Sequence, residues 1–213
     1  LEQESYESMS MTGMCRTRAG TTNEEVIMNP IASAILLRSI RCDFSGLPYE
    51  GKEITDAKAY LTNVNAETYI YDEFPGQPIR IINMSMLNPD DIRHFMNPGL
   101  VVGKITDMIG MEPSRPEICF LCYPNCAETE GPGTPFTRLV IEGQIDGDTY
   151  YWPIDINRQE DRKGIGRNCR YIFDLTIRRK GTSDPDIPVR HEDIVTTLEI
   201  TPWEEIQEDY IKF

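Results

Sequence analysis

The residues best suited to chemistry are six cysteines, two histidines and an acidic cluster near the C-terminus. Cys119, Cys122 and Cys126 form a Cys-x-x-Cys pair with a third thiol close behind, half of a tetrahedral zinc site. The context opposes that reading. Ile118-Cys-Phe-Leu-Cys-Tyr123 has the composition of a strand, where residues three apart face opposite sides, and no second ligand pair follows at matching spacing. With Cys15, Cys42 and Cys169 the set reads as structural thiols or one disulfide, and six cysteines allow fifteen pairings that spacing cannot choose among. His94 and His191 have no serine or cysteine nucleophile beside them. No phosphate-binding glycine loop, Walker-type lysine or His-Glu-x-x-His pattern occurs. Asp184, Asp186 and Asp193 offer hard oxygen ligands for calcium, but the EF-hand spacing is missing, and a solvated loop turned by Asp184-Pro185 is the simpler reading. The expectation is no enzyme, no cofactor and no metal.

The elements that carry these residues are strands. Arg138–Ile145 and Thr149–Ile156 flank Asp146-Gly147-Asp148, a strong hairpin signal because Asp-Gly tolerates positive φ. Tyr150, Trp152, Ile154 and Ile156 would share its core face, with Pro153 at an edge or bulge. Aromatic residues there could line a sugar platform, although alternation on a strand more often means core. Tyr171–Arg178 and Val195–Ile200 alternate as two further half-buried strands joined by the acidic loop. From Ala34 to Phe44 the pattern predicts a long strand with Leu36, Ile40, Cys42 and Phe44 on one face and Leu37, Ser39 and Arg41 on the other. Thr55–Asn65 predicts another, with Ala57, Ala59 and Leu61 alternating against Lys58, Tyr60 and Thr62. The one helix signal is Asn88-Pro-Asp-Asp91, a cap followed by proline and two acids, ended after about two turns by Pro98-Gly99.

Composition sets the limits. The chain has 213 residues, 39% of them hydrophobic, enough to bury a core. A formal net charge of −14 repels phosphate backbones and anionic lipid, so nucleic acid and membrane surfaces are poor partners. No run approaches the roughly 20 apolar residues of a membrane span. The chain opens at Leu1 with neither an initiator methionine nor a signal peptide, which reads as a matured or trimmed product. Residues 1–29 are irregular apart from a short strand at Met9–Gly13. Arg16–Thr22 is a polar linker exposed enough for a protease, and a domain boundary is placed there.

A resemblance rests on Phe120-Leu-Cys-Tyr-Pro-Asn125 followed by Thr137–Ile141, Tyr150–Ile154, Gly166-Arg-Asn168 with Tyr171, Gly181-Thr-Ser-Asp-Pro-Asp186 and Pro202-Trp203. In order and spacing these resemble the C-terminal domain of the fimbrillins, pilin subunits of type V pili in Bacteroidales. The resemblance runs from about Ile27 to Trp203. It implies a mostly β protein, a transthyretin-like or Ig-like antiparallel β-sandwich with one short helix. It also implies export as a lipoprotein precursor, a place in a fimbrium at the outer membrane, and maturation by an arginine-specific protease, here at Arg16 or Arg18. In that family a strand of one subunit fills a groove in the next. Residues 1–29 would be the remnant of an N-terminal domain and linker, and 30–213 the C-terminal domain with its tail. The candidate donor strand is the tail carrying Trp203, Ile206, Tyr210, Ile211 and Phe213. Thr201-Pro-Trp-Glu-Glu205 also reads as a helix start, so strand and helix both stand for the tail. Partners would be other fimbrial subunits and a host or bacterial surface receptor. The alternatives are a tip or anchor subunit, or a secreted glycan- or calcium-binding sandwich module.

Overall fold

The computed structural model describes residues 1–15, 20, 26–71, 77–158 and 164–203. Two four-stranded sheets face each other across one apolar core. In chain order the strands are β1 (Met11–Thr12), β2 (Asn29–Pro30), β3 (Ser33–Cys42), β4 (Thr55–Thr62), β5 (Val64–Asn65), β6 (Ile81–Ile82), β7 (Val102–Lys104), β8 (Ile118–Cys122), β9 (Arg138–Ile145), β10 (Asp148–Asp155), β11 (Cys169–Ile177) and β12 (Ile194–Pro202). The first sheet runs β10-β9-β4-β7 and the second β12-β11-β3-β8. Small two-stranded ribbons, β1-β2 and β5-β6, attach at the margins. The β-sandwich expected from the alternating strands is what forms. One pair departs from antiparallel order, since β3 and β11 lie parallel at the centre of the second sheet.

The β9-β10 hairpin forms as read. Asp146 and Gly147 both have positive φ, 56° and 89°, which is the type I′ geometry that lets two residues reverse right-twisted strands. Trp152 is fully buried, and its indole N–H donates to the Arg179 carbonyl at 2.9 Å, so the ring enters the core without stranding its one polar atom. Pro153 lies in β10, an edge strand, where a missing donor breaks no central ladder.

The long strand β3 corrects one expectation. Its core face carries Ile35, Leu37, Ile40 and Cys42, whereas Leu36 is only partly buried. The cause is a bulge. Leu37 pairs with Phe173 and Ser39 with Asp174, so Arg38 is an extra residue that shifts the alternation by one. Arg38 points outward, where its guanidinium meets Asp174 at 2.5 Å and Glu199 at 3.0 Å. A strict period of two across Arg38 puts Leu36 and Leu37 on the wrong sides.

The helix signal is also shorter than expected. Pro89–Ile92 makes a single turn, with the Asn88 side chain accepting from the Asp90 N–H at 3.0 Å. Pro98–Leu100 then makes its own 3-10 turn, capped by Asn97. Asparagine has a second use in the loops. Asn63, Asn65, Asn83 and Asn125 are all buried, and each bonds to backbone of a separate segment. Asn65 illustrates the economy: its amide donates to the Pro124 carbonyl while its oxygen accepts from Ile79 and Arg80 N–H groups. Buried loop backbone is thereby satisfied without a strand partner.

The bulge yields a direct test. Leu37→Ala is expected to cost about 2–5 kcal/mol in denaturant unfolding, as for a cavity in a packed core, and Leu36→Ala distinctly less. Equal losses would place the phase shift elsewhere along β3.

Candidate functional site

The first surface to weigh is the set of sheet edges, where unpaired N–H and C=O groups invite another strand. Three of the four edges are short or covered. β7 has three residues. β10 is closed at Tyr151, whose N–H and C=O exchange two 2.9 Å hydrogen bonds with Thr182. On β8 the Tyr6 hydroxyl donates to the Cys119 carbonyl. The fourth edge, β12, is nine residues long, and among the described residues no strand pairs along its outer side.

One end of β12 is also apolar on the wrong side of the solvent boundary. Phe120, Ile35, Tyr171 and Ile200 are successive cross-strand partners in one row across the second sheet. The first three are buried, but Ile200 is 41% exposed. The row therefore runs out from under its cover as it reaches β12. Trp203 follows directly, half-buried against the core, with its N–H donating to the Asn168 carbonyl at 3.0 Å. Of the candidate donor strand only Trp203 is described. Ile206, Tyr210, Ile211 and Phe213 lie outside the described residues, as do Arg16 and Arg18 of the candidate protease site.

Asp184, Asp186 and Asp193 each have a partner within the protein. Asp186 faces the Arg138 guanidinium at 3.2 Å and the Ser85 hydroxyl, Asp184 accepts from the Asp186 N–H, and Asp193 accepts from the Arg190 N–H. Arg138 is the residue the sequence reading missed. Its side chain is 5% exposed and meets Glu130 at 2.6 Å and Asp155 at 2.7 Å as well as Asp186. One buried guanidinium, with five donors in a planar fork, thus ties the β9-β10 hairpin to two loops. A lone arginine at a strand start carries no sequence signal for this role.

His94 accepts from its neighbour Arg93 at 3.1 Å. His191 lines a shallow cavity of about 140 Å3 with Asp155, Arg158, Arg190 and Ile194. Arg158 is already committed there, donating to the Ala127 and Asn125 carbonyls and lying 3.9 Å over the Phe136 ring. No disulfide joins the cysteines. Cys119 and Cys122 lie on β8, the expected strand. Burial pushes both thiols up, and pushes Cys42 up to about 11. Thiols of this kind stay protonated at neutral pH and are poor nucleophiles and ligands. Cys15, by contrast, is exposed.

No protein-family model matches the chain, and no curated protein does. Solved structures do. A candidate cell adhesion protein from Bacteroides eggerthii superposes with a TM-score of 0.60 at 16% identity, covering 84% of this chain and 57% of its own. A fimbrilin from Porphyromonas gingivalis gives 0.59 at 14% identity, covering 90% and 65%. A candidate cell adhesion protein from Parabacteroides distasonis gives 0.55 at 17% identity, covering 86% and 55%. The chain thus spans between about half and two thirds of each.

Two outcomes are expected. Burial covers Cys42 and Cys122 and keeps their thiols protonated, so exposed Cys15 should react with a thiol reagent in the native state while Cys42 and Cys122 wait for unfolding. Labelling of Cys42 should accelerate only as pH rises toward 11, and native-state labelling of Cys122 as fast as Cys15 would contradict this. Arg138→Ala should cost on the order of 3 kcal/mol in denaturant unfolding, the lower end for a broken buried pair because the three carboxylates keep some water. Across some three-fifths of each neighbour's length, the architecture assembled here is the β-sandwich fold of a Bacteroidales fimbrilin.

Proposed function

We propose that this chain is a structural, non-enzymatic subunit of a cell-surface fimbria, exported and joined to its neighbours by strand exchange, in support of adhesion. The observation that carries the reading is the β12 edge, with its exposed Ile200 at the end of a buried row, on a fold shared with a fimbrilin. A strand laid along β12 would complete nine residues of ladder and cover Ile200. Main-chain hydrogen bonds supply affinity in such an addition and alternate side chains supply register. The donor is the tail beginning at Trp203, whose Ile206, Tyr210, Ile211 and Phe213 are apolar groups with no use in a solvated end.

Residues 1–29 serve as the remnant of an N-terminal domain and residues 30–213 as the assembling domain. Cleavage at Arg16 or Arg18 would sever residues 1–15 from the rest. That segment is held by the β1-β2 pair and by buried Glu4, which accepts from the Tyr123 hydroxyl at 2.7 Å. Its departure would uncover Tyr123 and the Cys119 carbonyl on the β8 edge, a second place for a strand.

A tip subunit is the second reading, favoured by one observation. Tyr69, Ile70 and Tyr71 are each at least 60% exposed, and Arg167 holds the backbone beneath them through the Ile70 and Tyr69 carbonyls and the Thr68 hydroxyl. Three consecutive apolar side chains on a pinned loop suit contact with a surface receptor.

Native mass spectrometry separates these readings. After arginine-specific cleavage the chain is expected to give oligomer ladders that grow with concentration and vanish when it is truncated after Trp203. Ile200→Lys should shorten the ladders with little change in melting temperature. Monomers throughout, or ladders that survive truncation, would overturn the donor tail. A chain that caps ladders of other subunits without extending them would be a tip or anchor.

A further inference from the structure

The cavity beside His191 bridges the outer strands of the two sheets, with Pro153, Ile154 and Asp155 contributed by β10, Ile194 and Thr196 by β12, and residues 188–191 by the loop leading into β12. Its volume of about 140 Å3 suits one six-membered ring, since a cavity of about 150 Å3 takes benzene. The lining is mixed. Pro153, Ile154, Pro188 and Val189 offer aliphatic surface, and the Thr196 hydroxyl and the His191 imidazole offer hydrogen bonds beside it.

Charge sets this cavity apart. In a chain of net charge −14 it is lined by two arginines, Arg158 and Arg190, against one acid, Asp155. That acid is already taken: Asp155 meets Arg138 at 2.7 Å, and Glu130, the other carboxylate whose charge acts on Arg158, meets Arg138 at 2.6 Å. The Ala127 and Asn125 carbonyls satisfy two of the five N–H groups of Arg158 without neutralising it, and among the described residues no carboxylate forms an ion pair with it. A partly buried guanidinium left in this state is costly, and burial pushes Arg158 below its ordinary range. Arg190 stands on the rim, its side chain 81% exposed and only loosely met by Glu192 at 3.4 Å, so its guanidinium is able to close over an anion.

We propose that this cavity binds a carboxylated sugar residue of the hexuronate class, such as acidic polysaccharides carry. The aliphatic walls take one face of the ring, Thr196 and His191 meet its hydroxyls, and the carboxylate lies between Arg158 and Arg190. A neutral sugar leaves the arginines without an anion, and a carboxylate on a bare aromatic ring leaves the polar wall without partners, so both are discriminated against. The site uses side chains of β12 and not its unpaired backbone, and so stands apart from any strand added along that edge.

The test titrates the whole chain with glucuronate, glucose and benzoate by calorimetry and follows the ring protons of the two histidines by NMR. Expected is 1:1 binding of glucuronate that moves the His191 signals and leaves those of His94 in place, with glucose and benzoate each about tenfold weaker or more. Arg190→Gln, at an exposed position, should weaken glucuronate about tenfold with melting temperature retained, and Thr196→Val should weaken glucuronate while leaving benzoate unchanged. Absence of glucuronate binding, glucose or benzoate bound as tightly, or indifference to Arg190→Gln would overturn the site. Binding that appears only once the chain is truncated after Trp203 would assign the cavity to the chain's own tail and overturn it as well.

Discussion

The parallel pairing of β3 with β11 is the constraint on which the rest depends. It joins strands more than 130 residues apart at the centre of one sheet, while β4 and β9, a shorter distance apart in sequence, pair at the centre of the other. Both sheets are therefore stitched from early and late parts of the chain. Neither half can bury its apolar faces alone, since β3 needs β11 on one side and β8 on the other. Each fully buried aliphatic side chain contributes about 1.5–3 kcal/mol, and Ile35, Leu37, Ile40, Phe173 and Leu175 all draw on this one junction. The bulge at Arg38 keeps the alternation of the two strands in step on the core side. It also delivers a guanidinium to Asp174 and Glu199 on the outer face, where Arg38 holds the Asp174 carboxyl below its ordinary range.

Polar groups manage what the ladders leave. Long connections between the sheets carry backbone that no strand satisfies, and four buried asparagines take it up, while Arg138 gathers the carboxylates. The division of labour follows charge. A neutral amide can be buried wherever a carbonyl and an N–H meet it, whereas Arg138 is tolerable only because three carboxylates surround it at the sandwich margin. The acidic loop between β11 and β12 thus supplies, through Asp186, a counter-ion to the hairpin.

Edge protection is uneven, and the unevenness carries the functional argument. A tyrosine hydroxyl, a two-bond bridge and a three-residue strand dispose of three edges, while β12 remains long and has an inward-facing isoleucine in water. A monomer under no other demand would place a charge or proline at Ile200. The methionines are treated differently: eight of the nine are exposed, and Met9 alone packs against the core.

Much of this was legible in the residues. Asp146-Gly147 demanded positive φ and made the hairpin, alternation marked β11 and β12, Asn88-Pro89 started the helical turn, and Cys119 and Cys122 lie on the strand their composition implied. These are local matters, set by dihedral preference and by a period of two. The candidate assembly edge was only partly legible, because a strand's sequence does not say whether it lies at the margin of a sheet or inside it. Arg38 as a bulge, Arg138 as a hub and the parallel pair all depend on partners tens of residues away. The sequence by itself determined which segments would be strands and turns. Only the tertiary structure decided which strands meet, which edge stays open and which side chains share a face, since those follow from long-range burial and register that no local pattern encodes.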